Sequence, residues 1–376
     1  MAKIRVLVVD DSVVIRRLVS DVLSADPAIE VIGVAANGRI ALEKIARLKP
    51  DLVTMDVEMP ELDGLQALKA IRKTNKRLPV VMFSSLTDRG AATTIEALSA
   101  GASDYVTKPS NVGSTTMAMA RMREQLIPKV KALCGFKDGA PMPVSSSSPT
   151  GARSTPAVRI ASAGPRRAEI LAIGVSTGGP NALAELLPAI PADFPLPIVI
   201  VQHMPPVFTR LLADRLNAAS AITVCEGMAG EELKPGTAWI APGDYHMVLE
   251  KTAGSARITL NQQQTENSCR PAVDPLFRSV AQIYGAATLG VILTGMGQDG
   301  LKGCEQIAQA GGQILAQDEA SSVVWGMPGF VARAGLAEKV LPLNQIAGAV
   351  MRRAWVGRER SSAAKLDTGM NGYLGR

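Results

Sequence analysis

Aromatic side chains make up only 3% of the 376 residues, too few for the stacking platforms that hold single-stranded nucleic acid. There are two histidines and four cysteines. Cys134, Cys225, Cys269 and Cys304 lie far apart and form no CxxC pair. That excludes a recognisable zinc site or disulfide framework and points to a reducing cytosol. Long apolar runs are missing too. PIVIV and LGVIL fall far short of the roughly 18 residues that span a bilayer, so no membrane insertion is expected. The apolar stretch in MAKIRVLVVDDS is too short for an export signal and two aspartates follow it at once, so a cytoplasmic location is expected. The net charge of +6 is thinly spread, with small clusters such as Arg352 and Arg353, and reads as solvated faces rather than a nucleic-acid patch.

An apolar content of 47% supplies real cores, and the length fits two domains with a connector. From Ile4 to about residue 134, five short β-branched runs (IRVLVV, EVIGVA, LVTMD, LPVVMFS, DYVTK) alternate with amphipathic stretches of helix length. That is the pattern of a parallel α/β domain, here residues 1–134. Residues 135–167 are rich in Pro, Ser, Gly and Ala, show no periodicity, and read as a flexible linker. A second α/β run over 168–357 passes through EILAIGVS, PIVIVQH, AITVCEG, TAWIAPG, HMVLEKT, ARITLNQ, ATLGVILTG and QILAQDE. It reads as a doubly wound, mainly parallel domain with an antiparallel excursion over about 237–262, where strands follow one another without room for helices. Residues 358–376 have no periodic apolar pattern and are expected to fray.

Chemistry-bearing residues fall at the ends of the expected strands. In the first domain Asp10 and Asp11 end the first strand and Asp56 the third, so the carboxylates should meet where the carboxyl ends of parallel strands converge. Packed acids repel unless a hard cation neutralises them, and oxygen ligands of this kind suit Mg²⁺. Ser84 and Lys108 follow the fourth and fifth strands and add a hydroxyl and a cation for phosphate oxygens. Through VVDDS, MDVEMPELDG, FSSL and VTKP this region resembles the response-regulator receiver family, a flavodoxin-like five-stranded parallel fold. The resemblance implies that Asp56 is the phosphoacceptor, that Asp10 and Asp11 bind Mg²⁺ with Glu58 contributing its main-chain carbonyl, and that Ser84, Lys108 and Tyr105 sense the phosphate.

The first strand of the second domain ends in GVSTGGP, which puts Ser176 on a tight turn with helical N–H groups, Thr177 among the first, beyond it. Such donors and the helix dipole stabilise an oxyanion. A serine nucleophile requires a base. His203 ends the next strand at the same sheet edge, whereas His246 falls in the antiparallel excursion, so His203 is the preferred base. TGMGQDG ends a third strand and places Asp299 at that edge, able to orient an imidazole, with main-chain groups around Met296 available to an oxyanion hole. GVSTG satisfies the α/β-hydrolase elbow, but the order Ser, His, Asp is not that fold's. GMGQDG satisfies the dinucleotide-binding GxGxxG with Asp318 at a suitable distance, a rival reading weakened by the charge of Asp299 inside the loop.

With GVSTGGP, VQHMP, APGDYH and TGMGQDG in this order behind a receiver and linker, residues 1 to about 355 resemble the chemotaxis protein-glutamate methylesterase (CheB) family. The resemblance implies hydrolysis of glutamyl methyl esters on chemoreceptors, deamidation of receptor glutamines in many members, Ser176, His203 and Asp299 as triad, and Met296 at the oxyanion hole. It also implies a chemotaxis histidine kinase as phosphodonor, recruitment to receptor arrays, and no cofactor for the hydrolysis, Mg²⁺ serving the receiver alone. Two other classes compete on the residues: a DNA-binding output, for which no helix-turn-helix cue exists, and a nucleotide-dependent enzyme using GMGQDG.

Overall fold

The computed structural model describes residues 3–108, 115–135 and 166–358. Nearly all of the expected linker and tail, and Pro109 after Lys108, lie outside the described residues.

The first unit runs β1 (Ile4–Val9), α1 (Val13–Ser24), β2 (Ile29–Ala35), α2 (Gly38–Leu48), β3 (Leu52–Asp56), α3 (Gly64–Thr74), β4 (Val80–Ser84), α4 (Asp88–Ser99), β5 (Asp104–Thr107) and α5 (Thr115–Leu133). Its strands are all parallel in the order β2-β1-β3-β4-β5. The central strands β3 and β4 are buried throughout, which is why they read as continuous apolar runs rather than as alternation. Helix starts are written locally. Asn37 accepts the Ile40 N–H at 2.9 Å and Asp63 that of Gln66 at 2.7 Å, caps each contributing about 1 kcal/mol. The turn after β3 passes so near the strand that a Cβ on Gly64 would lie 1.9 Å from the Asp56 carbonyl oxygen. Only glycine lets the loop close on that aspartate.

The second unit has β6 (Ile170–Val175), α6 (Gly179–Leu186), β7 (Ile198–Gln202), α7 (Phe208–Ala219), β8 (Thr223–Glu226), β9 (Thr237–Ile240), β10 (His246–Lys251), β11 (Ala256–Asn261), α8 (Val273–Tyr284), β12 (Thr288–Ile292), α9 (Leu301–Gln309), β13 (Gln313–Gln317), α10 (Met327–Arg333), β14 (Lys339–Leu341) and α11 (Leu343–Ala354). Seven strands form one parallel sheet in the order β14-β13-β12-β6-β7-β9-β8. The chain enters at β6, lays β7, β8 and β9 on one side, then returns to lay β12, β13 and β14 on the other. The direction of winding therefore reverses at β6, where a crevice opens at the carboxyl ends of the strands.

Three expectations need correction. The antiparallel excursion is only the pair β10-β11, residues 246–261. β9, counted in it from the shortness of its connections, pairs in parallel with β7 and β8. β14 was not foreseen, because its Lys-Val-Leu is largely exposed and carries no apolar run. Arg353 is not on a solvated face. It is 2% exposed, with its guanidinium satisfied by Glu338 at 2.6 Å, Gln313 at 3.1 Å and the Ala349 carbonyl at 3.0 Å.

The two units meet along α4 and α7. Arg215 donates to the Ile95 carbonyl at 3.0 Å, Arg210 pairs with Asp88 at 2.9 Å, and Asn181 donates to the Ala102 carbonyl at 3.3 Å. At the centre the Tyr105 ring stacks on Phe208, centroids 4.8 Å apart and planes 8° from parallel. Both rings are buried, so the stack and its apolar surroundings outweigh the exposed Arg210–Asp88 pair, a type of contact adding at most about 1 kcal/mol.

Candidate functional site

At the carboxyl edge of the five-stranded sheet, Asp10, Asp11 and Asp56 each bring a carboxylate oxygen within 4.8 Å of the others. Lys108 Nζ stands 2.9 Å from Asp10 Oδ2 and 2.8 Å from Asp56 Oδ2. Burial, together with the neighbouring Asp10 charge, pushes the Asp56 carboxyl up to about 6 against the opposing pull of Lys108. Burial alone would lower the Lys108 ammonium, but its bonds to Asp56 and Asp10 hold it above its ordinary value. Ser84 is buried, its hydroxyl donating to the Ser85 carbonyl at 3.0 Å and its own carbonyl accepting the Lys108 N–H at 2.7 Å. The Glu58 carboxylate is turned to Arg89 at 3.7 Å and is not part of the acidic cluster. Three clustered carboxylates offer the hard oxygen donors that suit a divalent cation such as Mg²⁺.

The second site is assembled from three neighbouring strands. β12, β6 and β7 lie side by side, and just beyond their carboxyl ends come Asp299, Ser176 and His203. Ser176 is pinned by its backbone: its N–H donates to the Thr294 carbonyl at 3.0 Å, and its carbonyl accepts from Gln202 Nε2 at 3.0 Å. The turn closes tightly, since a Cβ on Gly179 would meet the Gln202 amide oxygen at 1.9 Å. Among the described residues no acceptor meets the N–H of Thr177 or of Met296, two free donors in loops that flank Ser176.

His203 Nε2 bonds Asp299 Oδ2 at 2.7 Å. Asp299 is 2% exposed and is held from several sides. It accepts the N–H groups of Val273 at 2.6 Å, Asp274 at 3.1 Å and Gly300 at 3.0 Å, and the Asn267 amide at 2.9 Å. Two of those donors open α8, whose N-cap residue Ala272 offers no side-chain cap. Asp299 thus serves as a remote cap, and the helix N-terminus favours its charged form. Burial works against the charge, but the bonds from His203, Val273 and Asp274 keep the carboxyl below its ordinary range. Burial pulls the His203 imidazole down, while Asp299 and then Cys269 push it further the other way, to about 10. Asp274, behind Asp299, is raised by burial and by the Asp299 charge.

His246 is buried with both ring nitrogens engaged, Nε2 by the Gln264 carbonyl at 3.0 Å and Nδ1 by the Ala272 N–H at 3.3 Å. Its ring is held by the main chain on both sides. The dinucleotide rival also weakens here. Asp299 fills the GMGQDG loop with a fixed negative charge, and Asp318 is taken up by Ser321 at 2.6 Å. Sequence reasoning missed Gln202, Asn267, Cys269 and Asp274. The only cue to Asn267 and Cys269 was the short polar turn ENSC before an Arg-Pro pair, which fits any loop.

The family description "CheB methylesterase" matches residues 171–350, and "Response regulator receiver domain" matches residues 6–119. A protein-glutamate methylesterase/protein-glutamine glutaminase of Trichodesmium erythraeum is 54% identical over 353 residues, covering 94% of this chain and 99% of the relative. A protein of the same name from Nocardioides sp. is 53% identical over 363 residues, covering 96% of this chain and 98% of the relative. No helix among the described residues is long and apolar enough to cross a membrane. Two family matches in tandem, and relatives aligned over nearly their whole length, lead to one conclusion: the chain belongs to the CheB methylesterase family and carries a response-regulator receiver domain.

Proposed function

We propose that the chain is a cytoplasmic, phosphorylation-controlled serine esterase that hydrolyses glutamyl methyl esters on chemoreceptors and deamidates receptor glutamines, with residues 1–134 as receiver, 135–167 as linker and 168–357 as catalytic domain. The observation that carries the reading is the His203–Asp299 bond at 2.7 Å, placed beside Ser176 at the winding reversal of the sheet.

Asp299 fixes the tautomer of His203, holding the proton on Nε2 and leaving the Nδ1 lone pair as base. Ser176 Oγ gives its proton to Nδ1 and attacks the ester carbonyl. The Thr177 and Met296 N–H groups receive the developing oxyanion. When the tetrahedral intermediate collapses, Nδ1 returns the proton to the departing methoxide, and methanol leaves. Water then attacks the acyl-enzyme carbonyl, losing a proton to Nδ1, which passes it to the departing Ser176 Oγ as glutamate is released. A glutamine side chain forms the same acyl-enzyme with ammonia as leaving group, so one site serves both reactions.

In the receiver, Asp56 is the phosphoacceptor. Asp10, Asp11 and the Glu58 main-chain carbonyl would hold Mg²⁺, whose chemical contribution is to neutralise phosphoryl oxygens. Lys108 and Ser84 take up phosphate oxygens, and a chemotaxis histidine kinase is the donor. The unphosphorylated receiver restrains the esterase through the α4–α7 contact, and phosphorylation loosens it through Ser84 and Tyr105. Support comes from the Tyr105–Phe208 stack, five residues beyond His203, and from Asn181, five beyond Ser176, bonded to the receiver.

The test is methanol release from a methylated chemoreceptor cytoplasmic fragment by the full chain and by Ser176→Ala, each with and without a small phosphodonor plus Mg²⁺. Release that requires Ser176 and rises with phosphodonor is expected. Release undiminished in Ser176→Ala would overturn the serine reading, and release indifferent to phosphodonor would overturn the control.

A further inference from the structure

With Nε2 bound to Asp299, His203 has one nitrogen left for chemistry. Among the described residues no hydrogen bond joins Ser176 Oγ to His203, and Nδ1 is met instead by Cys269 Sγ at 3.6 Å. A neutral imidazole with its proton on Nε2 has a single lone pair at Nδ1. A serine hydroxyl must come within about 2.6–3.2 Å of it to pass a proton. The sulfur and the hydroxyl therefore compete for one nitrogen: in the protonated ring Nδ1–H donates to Sγ, and the hydroxyl can pass its proton only once that proton has left.

The placement of Cys269 is built into a stapled turn. Glu266 and Cys269 exchange main-chain bonds, at 3.2 and 2.9 Å, around Asn267 and Ser268, whose φ angles are +50° and +62°. Two consecutive left-handed residues without glycine are costly, roughly 1 kcal/mol or more each. The surroundings hold them there. Asn267 Nδ2 bridges Asp299 Oδ1 at 2.9 Å and Asp274 Oδ2 at 3.0 Å. Glu266 is paired with Arg278. Arg270, next after the cysteine, is fixed by Asp244 at 2.6 Å and by the Gln262 and Gln263 carbonyls at 3.0 Å. A turn that needed only to fill space would not require two strained residues, one of them anchored to the same aspartate that bonds His203.

We infer that Cys269 is a positioning residue that holds His203 Nδ1 in a resting arrangement and so sets how much free base Ser176 meets. The inference rests on the triad reading above. The groups facing His203 are Asp299 from the loop after β12 and Cys269 from the turn before α8, with Asp274 of α8 and the Glu266–Arg278 pair behind them. Of the two direct partners, Asp299 must stay for the tautomer, so Cys269 is the one that yields. Its bond to the ring favours a proton on the imidazole, and its removal lowers the pH at which the base becomes free.

The measurement is the pH profile of kcat/KM for methanol release from a methylated chemoreceptor fragment by the full chain, Cys269→Ala, Cys269→Ser and Ser176→Ala. The acid limb of Cys269→Ala is expected to move down by about one pH unit, near 10-fold more activity on the acid side relative to the plateau. Cys269→Ser, a close isostere that keeps an acceptor, falls between and guards against a folding defect. Limbs that coincide in all three active forms overturn the inference, as does a lowered plateau with an unmoved limb, which marks packing alone. Activity retained in Ser176→Ala would sink the triad reading itself. An inactive Ser176→Ala beside unmoved limbs sinks only the role of Cys269.

Discussion

Both sites occupy the same topological position, the carboxyl edge of a parallel sheet, and there the likeness ends. In the receiver, three carboxylates cluster, two of them bonded to one lysine, and burial raises Asp56. The site holds excess negative charge. In the second unit one buried carboxylate, Asp299, faces one imidazole and is held by two N–H groups of α8, so the charge is balanced within the protein. A sheet edge collects side chains, but the neighbouring helix decides what they become. Where a helix N-terminus points at the acid, the acid stays charged and orients a base. Where acids face one another without such a helix end, as Asp10 faces Asp56, the neighbouring charge raises the carboxyl instead.

The sharpest test of that contrast substitutes the centre of each site. Ser176→Ala should cost on the order of 10⁶-fold in kcat, as loss of a serine nucleophile does elsewhere, with or without phosphodonor. Asp56→Asn should leave basal methanol release in place and abolish only its rise with phosphodonor. A comparable basal loss in Asp56→Asn would mean that the two edges are one catalytic unit.

Next in size is Asp299→Asn. The change is isosteric but removes the charge that fixes the His203 tautomer, and a loss of about 10⁴-fold in kcat is expected. Binding of substrate is nearly unaffected, so KM moves little. A loss of less than about 10-fold would show that the helix N-terminus and Asn267, rather than the carboxylate, hold the imidazole. The corresponding experiment on the receiver is chelation of divalent cations. It should remove the phosphodonor response completely and leave the hydrolysis rate of the unphosphorylated chain unchanged.

Much of this contrast was legible in the sequence, because it is written at strand ends. The apolar runs IRVLVV, LVTMD, EILAIGVS and PIVIVQH are central buried strands, and a polar residue at or just past the end of each run is delivered to the edge. That is how Asp10, Asp56, Ser176 and His203 could be placed without coordinates. Asp299 was found the same way, through TGMGQDG. What stayed hidden depends on contacts between segments far apart in the chain. The capping of α8 by Asp299 joins residues 25 or more apart, and the approach of Cys269 to His203 spans 66. Neither has a local pattern. Arg353 was misjudged for the same reason, since its partners Glu338 and Gln313 come from other elements. β9 was misjudged because short connections suggest a hairpin, whereas its strand partners are parallel ones across the sheet.

The smallest effect is the most specific to the balanced site. The folded His203 lies near 10, above the ordinary 6.5 of an unfolded chain. A group whose pKa is raised by folding contributes stability that is fully present below about pH 6.5 and is lost as pH rises through about 10. Asp299 is shifted the opposite way, below its ordinary value, so its contribution is present above about pH 4 and is lost only on further acidification. The pair therefore stabilises the second unit most between these limits, and its melting temperature should fall between pH 7 and pH 10. Asp299→Asn removes the main partner of the imidazolium, so the variant should be less stable near pH 6 but show a flatter alkaline decline. If both proteins lost stability in parallel from pH 7 to pH 10, the decline would belong to lysines and tyrosines elsewhere, and the charge balance assigned to the His203–Asp299 pair would not hold.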